Sequence, residues 1–326
     1  MIGAGPAVLC LASTLGWFSL SPVDETFEAK PVSVEVFEEP EWRLVSTNAS
    51  CSPVVECDRW QWTDSLELFA GLEGSKQPQD FGVNAHFGGR VHANFGLPLW
   101  EESGLGLQLG TGLNQTDHAV AVTSAIEGSS SRTQSFSTVG IFQRTDNGWT
   151  WAIAHDFLYQ EDYDRSTLTQ WRGQVGYQLT PQNEIGLMGR LPQKEADANW
   201  GGVPVHLSAL AQGSVYLRHK WAFGGETTGW LGVADRHGQS NVALGDRPST
   251  SEVLVFGATL QIPLNDHWAL FGEANFVTPA DTGTVDAYLG FAFYPGGGAT
   301  GWRNRKFSPI LPVANNTSFT TNLGRR

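Results

Sequence analysis

The sequence predicts an all-β fold, an antiparallel up-and-down transmembrane β-barrel of about twelve strands, and three observations carry that reading. The composition is unusual for a soluble α/β protein: charged residues are only 16% of the 326, while Gly reaches 38, Phe 18 and Trp 13, against roughly 25% charged in an average chain. Apolar residues alternate with polar ones at period two over most of the chain, which places one set on each face of a strand. The joins between alternating segments are themselves alternately short and long, as in barrels with short turns at one end and longer loops at the other.

The clearest strand sets Val83, Ala85, Phe87, Gly89, Val91, Ala93, Phe95, Leu97 and Leu99 against Asn84, His86, Gly88, Arg90, His92, Asn94 and Gly96. That run is far longer than the five or six residues of an ordinary strand. A second sets Trp171, Gly173, Val175, Tyr177 and Leu179 against Gln170, Arg172, Gln174, Gly176 and Gln178. A third opposes Val215, Leu217, Trp221 and Phe223 to Ser214, Tyr216, Arg218 and Lys220, and a late one opposes Val285 to Phe293 against Asp286 to Tyr294. Strands are expected to start near Ser65, Val83, Gly104, Gln134, Trp149, Leu168, Glu184, Ser208, Thr228, Val253, His267 and Thr284. His118 to Ala125 reads as loop.

Short joins at 100–103, 145–147, 180–183, 224–226 and 263–266 are built from the Gly, Pro, Asn and Asp of tight turns. Longer joins are expected at 74–82, 115–133, 160–167, 192–207 and 237–252, with a shorter one at 278–283. A sheet crosses hydrocarbon only when it closes on itself, because every backbone N–H and C=O must pair within the protein. Its outer face is then apolar, its inner face is free to be polar, and aromatics gather near strand ends. Trp149, Trp151, Trp221, Trp230, Trp268, Phe293 and Tyr294 sit within a few residues of expected strand ends. A sandwich core would also use such aromatics, so a soluble exported β-sandwich stands as an alternative.

Around the barrel (65–295) lie three further segments. Residues 1–22 read as a signal peptide, with an apolar core from Pro6 to Leu20, although no Lys or Arg precedes Lys30; a short buried helix is the alternative. Residues 23–64 read as a periplasmic linker rich in Pro, Glu, Ser and Val, and 296–326 as a C-terminal tail. With Cys10 removed in the signal, Cys51 and Cys57 form an even pair and a candidate disulfide in an oxidising compartment. Two thiols without nearby His or further Cys do not fill a zinc site, so no metal is expected there.

The net charge of −13, with 33 acidic against 20 basic residues, argues against a nucleic-acid partner, which needs a basic face. The only basic run, Arg303-Asn304-Arg305-Lys306, reads as a solvated turn. Alternation assigns Glu67, His86, Arg90, His92, Arg172, Glu184, Arg190, Arg218, Lys220, Glu273 and Asp286 to the inner face. Of these, Glu67, Arg90, Arg172, Glu184, Arg190, Arg218, Lys220, Glu273 and Asp286 are the candidate pore-lining residues. Mixed signs suit either a selective pore or a network of ion pairs closing the lumen.

The acidic loop Glu161-Asp162-Tyr163-Asp164 has the oxygen ligands for a divalent cation, and a solvated loop is the plainer reading. His155-Asp156, Asp235-Arg236-His237 and Asp266-His267 look like catalytic fragments, but no Gly-x-Ser-x-Gly or His-Glu-x-x-His motif joins them. No enzyme activity and no cofactor are expected.

Over 65–294 the chain resembles outer-membrane β-barrel proteins as a class. The tail from Gly301 to Asn316, GWRNRKFSPILPVANN, resembles that of an uncharacterised planctomycete family, which implies no activity or functional residues. The resemblance to the class implies a bacterial outer-membrane location, outer-membrane lipid as partner and passive, porin-like passage of small solutes. A non-conducting surface or anchoring barrel whose loops bind partners is the alternative. Porins usually end on the aromatic of their last strand, and the tail 296–326 departs from that: it folds in the periplasm, or plugs the lumen, or the assembly signal is internal.

Overall fold

A computed structural model gives the structure of residues 60–77, 85–118, 131–162, 164–200, 203–235, 240–241, 245–246, 253–278 and 284–325. The signal peptide, most of the linker and the Cys51–Cys57 pair lie outside the described residues.

The chain forms a closed, antiparallel barrel of twelve strands. In chain order the strands are β1 (Leu66–Lys76), β2 (His86–Trp100), β3 (Leu105–His118), β4 (Ser131–Arg144), β5 (Trp149–Glu161), β6 (Arg165–Thr180) and β7 (Asn183–Lys194). A hairpin, β8 (Ala196–Trp200) and β9 (Val203–Ala209), interrupts the barrel order. The wall resumes with β10 (Gln212–Lys220) and β11 (Glu226–Ala234). After the two-residue strands β12 (Ser240–Asn241) and β13 (Gly245–Asp246) come β14 (Val253–Pro263), β15 (Trp268–Thr278) and β16 (Thr284–Phe293). Closure is made by β1 on β16, in the register Leu72↔Leu289. A single closed sheet replaces the sandwich alternative: its apolar face points outward instead of packing on a second sheet.

Alternation explains the wall residue by residue. Along β2, Phe87, Val91 and Leu99 are exposed on the outside while His86, Arg90, His92 and Asn94 are buried inside. On β6, Trp171, Val175, Tyr177 and Leu179 are outward and Gln170 and Arg172 inward. The sequence-derived strand starts fall within a few residues of the observed ones. Gly148, at φ 85°, closes the β4–β5 turn in a conformation that a side chain would strain. Two joins differ from expectation. The join expected at 160–167 is only 162–164, because β5 and β6 pair as far as Glu161↔Arg165. The join at 192–207 is not irregular loop but holds β8 and β9, whose alternation is too brief to separate from loop.

Two aromatics expected at the strand-end rims are instead inside. Trp230 is buried and donates to Asn275 Oδ1 at 3.1 Å. Tyr294 is buried, donates to Glu67 Oε2 at 3.1 Å and packs on Trp302 with ring centroids 5.0 Å apart. Both rings take inward positions because the interior supplies a partner for their polar atoms.

After β16 the tail turns back into the barrel. Tyr294 N–H bonds His267 C=O at 2.8 Å and Ala299 N–H bonds Asp266 C=O at 2.8 Å, fixing the turn against the β14–β15 end. Gly297 and Gly298, at φ 70° and 71°, make that reversal. From Phe307 to Thr321 nearly every residue is buried. At the far end Leu210 N–H bonds Thr320 C=O at 2.9 Å. A last strand, β17 (Thr321–Arg325), pairs antiparallel with β9 in the register Leu323↔Leu207. The tail therefore enters at the short-turn end, fills the lumen along its length and joins the hairpin at the loop end.

Candidate functional site

The site is the lumen and the segment inside it. Two layers meet there: an inward wall set by strand alternation, and a tail of largely apolar and small polar residues.

The wall is charged, and most of its charges are paired. Arg172 meets Asp156 through Nε at 2.6 Å and Nη2 at 2.9 Å, both side chains buried. Arg218 bridges Glu184 at 3.1 Å and Glu226 at 3.3 Å. Arg90 lies 3.5 Å from Glu73, and His92 3.2 Å from Glu67. Asp286 is held by the Ser75 hydroxyl at 2.7 Å and Gln77 Nε2 at 3.1 Å. Glu273 accepts from the Tyr288 hydroxyl at 2.9 Å. Each of the nine residues selected from the sequence thus faces the interior, all buried or partly buried, with Lys220 half-buried near the short-turn mouth. Glu73, Asp156 and Glu226 complete the network and were not selected. Asp156 in particular was read beside His155, yet strand neighbours point to opposite faces. His155 is outside, bonded to Gln193, and Asp156 inside, bonded to Arg172. That separation dissolves the His155-Asp156 fragment as a catalytic pair.

The tail is bonded to this wall at successive levels. Near the short-turn end Arg144 donates to the carbonyls of Arg303 and Ser308, each at 2.6 Å. Further in, Asn94 and Gln108 both donate to Leu311 C=O, at 3.1 and 2.6 Å, and Arg172 donates to Pro312 C=O at 2.8 Å. Ala314 N–H bonds the Thr138 hydroxyl at 2.9 Å. Beyond it Asn316 bonds Glu73 and, at 2.9 Å, Gln134 Oε1; Arg190 donates to Thr317 C=O at 2.8 Å and Gln170 to Ser318 C=O at 2.9 Å. Gln77 Oε1 receives both the N–H and the hydroxyl of Thr321. Many of the buried tail carbonyls are thereby satisfied, as a segment without its own sheet or helix requires.

Inward glycines make the room. A Cβ on Gly96 would fall 1.9 Å from Phe307 O, and one on Gly110 2.8 Å from Val313 Cγ2. Phe319 packs with Phe136, Leu158, Leu168 and Leu207 in one apolar cluster, and Ile310 and Leu311 with Phe142 and Ala154 in another. Burial of such side chains contributes roughly 1.5–3 kcal/mol each. The basic run is also used: Arg303 lies 3.6 Å from Glu226 and Arg305 3.6 Å from Asp64.

At the loop end, His206 on β9 sits between Asp197 (2.9 Å) and Glu195 (2.8 Å). The Asp197 hydrogen bond, with Glu195 behind it, holds the imidazole above its ordinary pKa. A raised value means that the charged pair supports the hairpin fully below pH about 6.5 and ceases to as pH rises through the raised value. An NMR titration should place the His206 midpoint above 6.5, and D197N should bring it back down; an unshifted midpoint in the intact protein would refute the pairing. In the acidic loop Glu161 pairs with Arg165 at 2.9 Å, and Asp164 accepts the N–H of Arg165 and of Asn199. Among the described residues no group of three or more His, Cys, Asp or Glu could hold a metal ion.

The KdgM porin is 10% identical, with a TM-score of 0.36 over 69% of this chain and 98% of that one. The NanC porin is 9% identical, with a TM-score of 0.40 over 70% and 98%. Outer membrane phospholipase A from Escherichia coli is 8% identical, with a TM-score of 0.38 over 70% and 95%. No functionally curated protein matches the sequence. A family model described as a family of unknown function, DUF6666, matches residues 65–321, the barrel together with its lumenal tail, and the chain belongs to that family.

Proposed function

We propose that the protein is a bacterial outer-membrane barrel of porin type that its own tail holds closed, and that it serves as a non-conducting surface or anchoring protein. The observation that carries this reading is the continuous burial of Phe307–Thr321 along the lumen, bonded to the wall at each level. The outward belt of Leu, Val, Phe and Trp supports contact with outer-membrane lipid. Short turns then face the periplasm, and the β8–β9–β17 sheet faces outward with the longer loops, where partners would bind. The reading assigns the protein no catalysis and no cofactor.

Passive passage of small solutes is the second reading, favoured by an inner wall that carries charges of both signs; it requires the tail to leave. Single-channel recording in a planar bilayer decides between them. The intact chain should give no conductance steps, and a chain ending at Tyr294 should give steady ones. Open steps from the intact chain at low voltage would return the protein to the passive-channel reading.

A further inference from the structure

Between the tail and the wall of β6, β7, β10, β11, β14 and β15 lies an internal cavity of about 60 Å³. Four guanidinium groups line it, Arg172, Arg190 and Arg218 from the wall and Arg303 from the tail, against a single carboxylate, Glu273. The carboxylates that pair with three of these arginines, Asp156, Glu184 and Glu226, are not among the lining residues. Glu273 is already committed, its two oxygens accepting from Tyr288 and Thr317 hydroxyls.

Arg190 differs from the others. It is buried, and among the described residues its bonds are two, both through Nη1: to Gln212 Oε1 at 3.0 Å and to Thr317 C=O at 2.8 Å. Neither is an ion pair. A guanidinium carries five N–H donors in a planar fork, so the Nε and Nη2 donors are left to the cavity. Burying a charge without an anionic partner is costly. The cavity is large enough for more than one water, and a five-atom tetrahedral oxyanion fits within it.

We infer that this cavity is a binding site for a small oxyanion of phosphate size, held by the free edge of Arg190 with Arg172, Arg218 and Arg303 around it. The site rests on the closed-lumen reading, since Arg303, Leu311 and Pro312 form its tail side. An anion there ties wall to tail and stabilises the closed barrel by mass action.

The test is the temperature at which the folded gel band of the full chain converts to the unfolded one, after folding into micelles with increasing inorganic phosphate or with chloride at matched ionic strength. Phosphate also strengthens folding generally by exclusion from the surface, so the comparison with variants isolates the site. The intact chain should show a rise that begins near Kd and then grows logarithmically, by about 3 °C per tenfold excess over Kd beyond the chloride series. R190Q should show only the generic rise, without that logarithmic component. R190K, a second variant that keeps the charge and loses the fork, should need several-fold more phosphate. A rise equal in the intact chain and in either variant, or none beyond chloride, overturns the site. Conductance is a separate readout, so a silent intact chain without a phosphate effect would leave the closed barrel standing and remove only the anion.

Discussion

Asp156→Ala should lower the stability of the folded barrel by about 3–5 kcal/mol, the range for removing one partner of a buried ion pair. Asp156 is fully buried and accepts four hydrogen bonds: two from Arg172, one from the Thr138 hydroxyl at 2.9 Å and one from Gln170 Nε2 at 3.1 Å. The alanine leaves Arg172 charged in a place with no other carboxylate at bonding distance among the described residues. All three orphaned donors also serve the tail, since Arg172 donates to Pro312 C=O, Gln170 donates to Ser318 C=O and the Thr138 hydroxyl accepts the Ala314 N–H. The loss should therefore appear twice, as a lower denaturant midpoint in micelles and as faster proteolysis of the tail. D156A combined with R172M removes the stranded charge and should recover a large part of the stability, but not the Pro312 contact. If D156A costs less than about 1 kcal/mol, the pair behaves as an exposed one and the lumen around it is wet.

The wall was legible because barrel strands report their environment at every second residue. Val175, Leu217 and Leu289 alternate with Gln174, Arg218 and Tyr288, and an error of one residue would reverse every side chain. Even the charged inner residues came from that rule alone. Which carboxylate meets which arginine was not legible, because Arg172–Asp156 and Arg218–Glu184 depend on the register between neighbouring strands, set by Ala154↔Arg172 and Arg218↔Glu184.

The tail was harder. Ile310-Leu311-Pro312-Val313 has no period, since its partners sit on several different strands and none imposes a repeat. A plug was one of three readings left open for it. The usable signal was indirect: inward amides at Asn94, Gln108, Gln134 and Gln170, and inward glycines at Gly96, Gly110 and Gly112. An open channel gains nothing from glycines on its inner face, whereas a wall that takes a chain against it needs them. Trp230 and Tyr294 were misplaced for a related reason. Proximity to a strand end suggests a rim, but only the parity of the strand says which side of the wall a ring occupies.

That parity makes the second large effect. Val175 stands midway along the outward apolar run from Trp171 to Leu179 on β6, and it is exposed on the outer surface. An arginine there meets hydrocarbon near the middle of the belt, so V175R should cost about 2–4 kcal/mol and sharply reduce the heat-modifiable, membrane-inserted fraction. Leu217 is also outward, but His219 and Trp221 follow it toward the short-turn rim, so L217R should lie toward the lower end of that range. The comparison belongs with a charge one residue away, on the other face. Gln174 points inward, where its Nε2 donates to the Tyr216 hydroxyl at 2.9 Å and its side of the wall carries Arg172, Arg190 and Arg218. Arginine at that position would add a like charge to the cluster, whereas glutamate finds guanidinium partners. Q174E should therefore insert as the intact chain does. If V175R and Q174E insert equally well, the outward face does not meet hydrocarbon, and the barrel is not a membrane protein in the orientation its alternation implies.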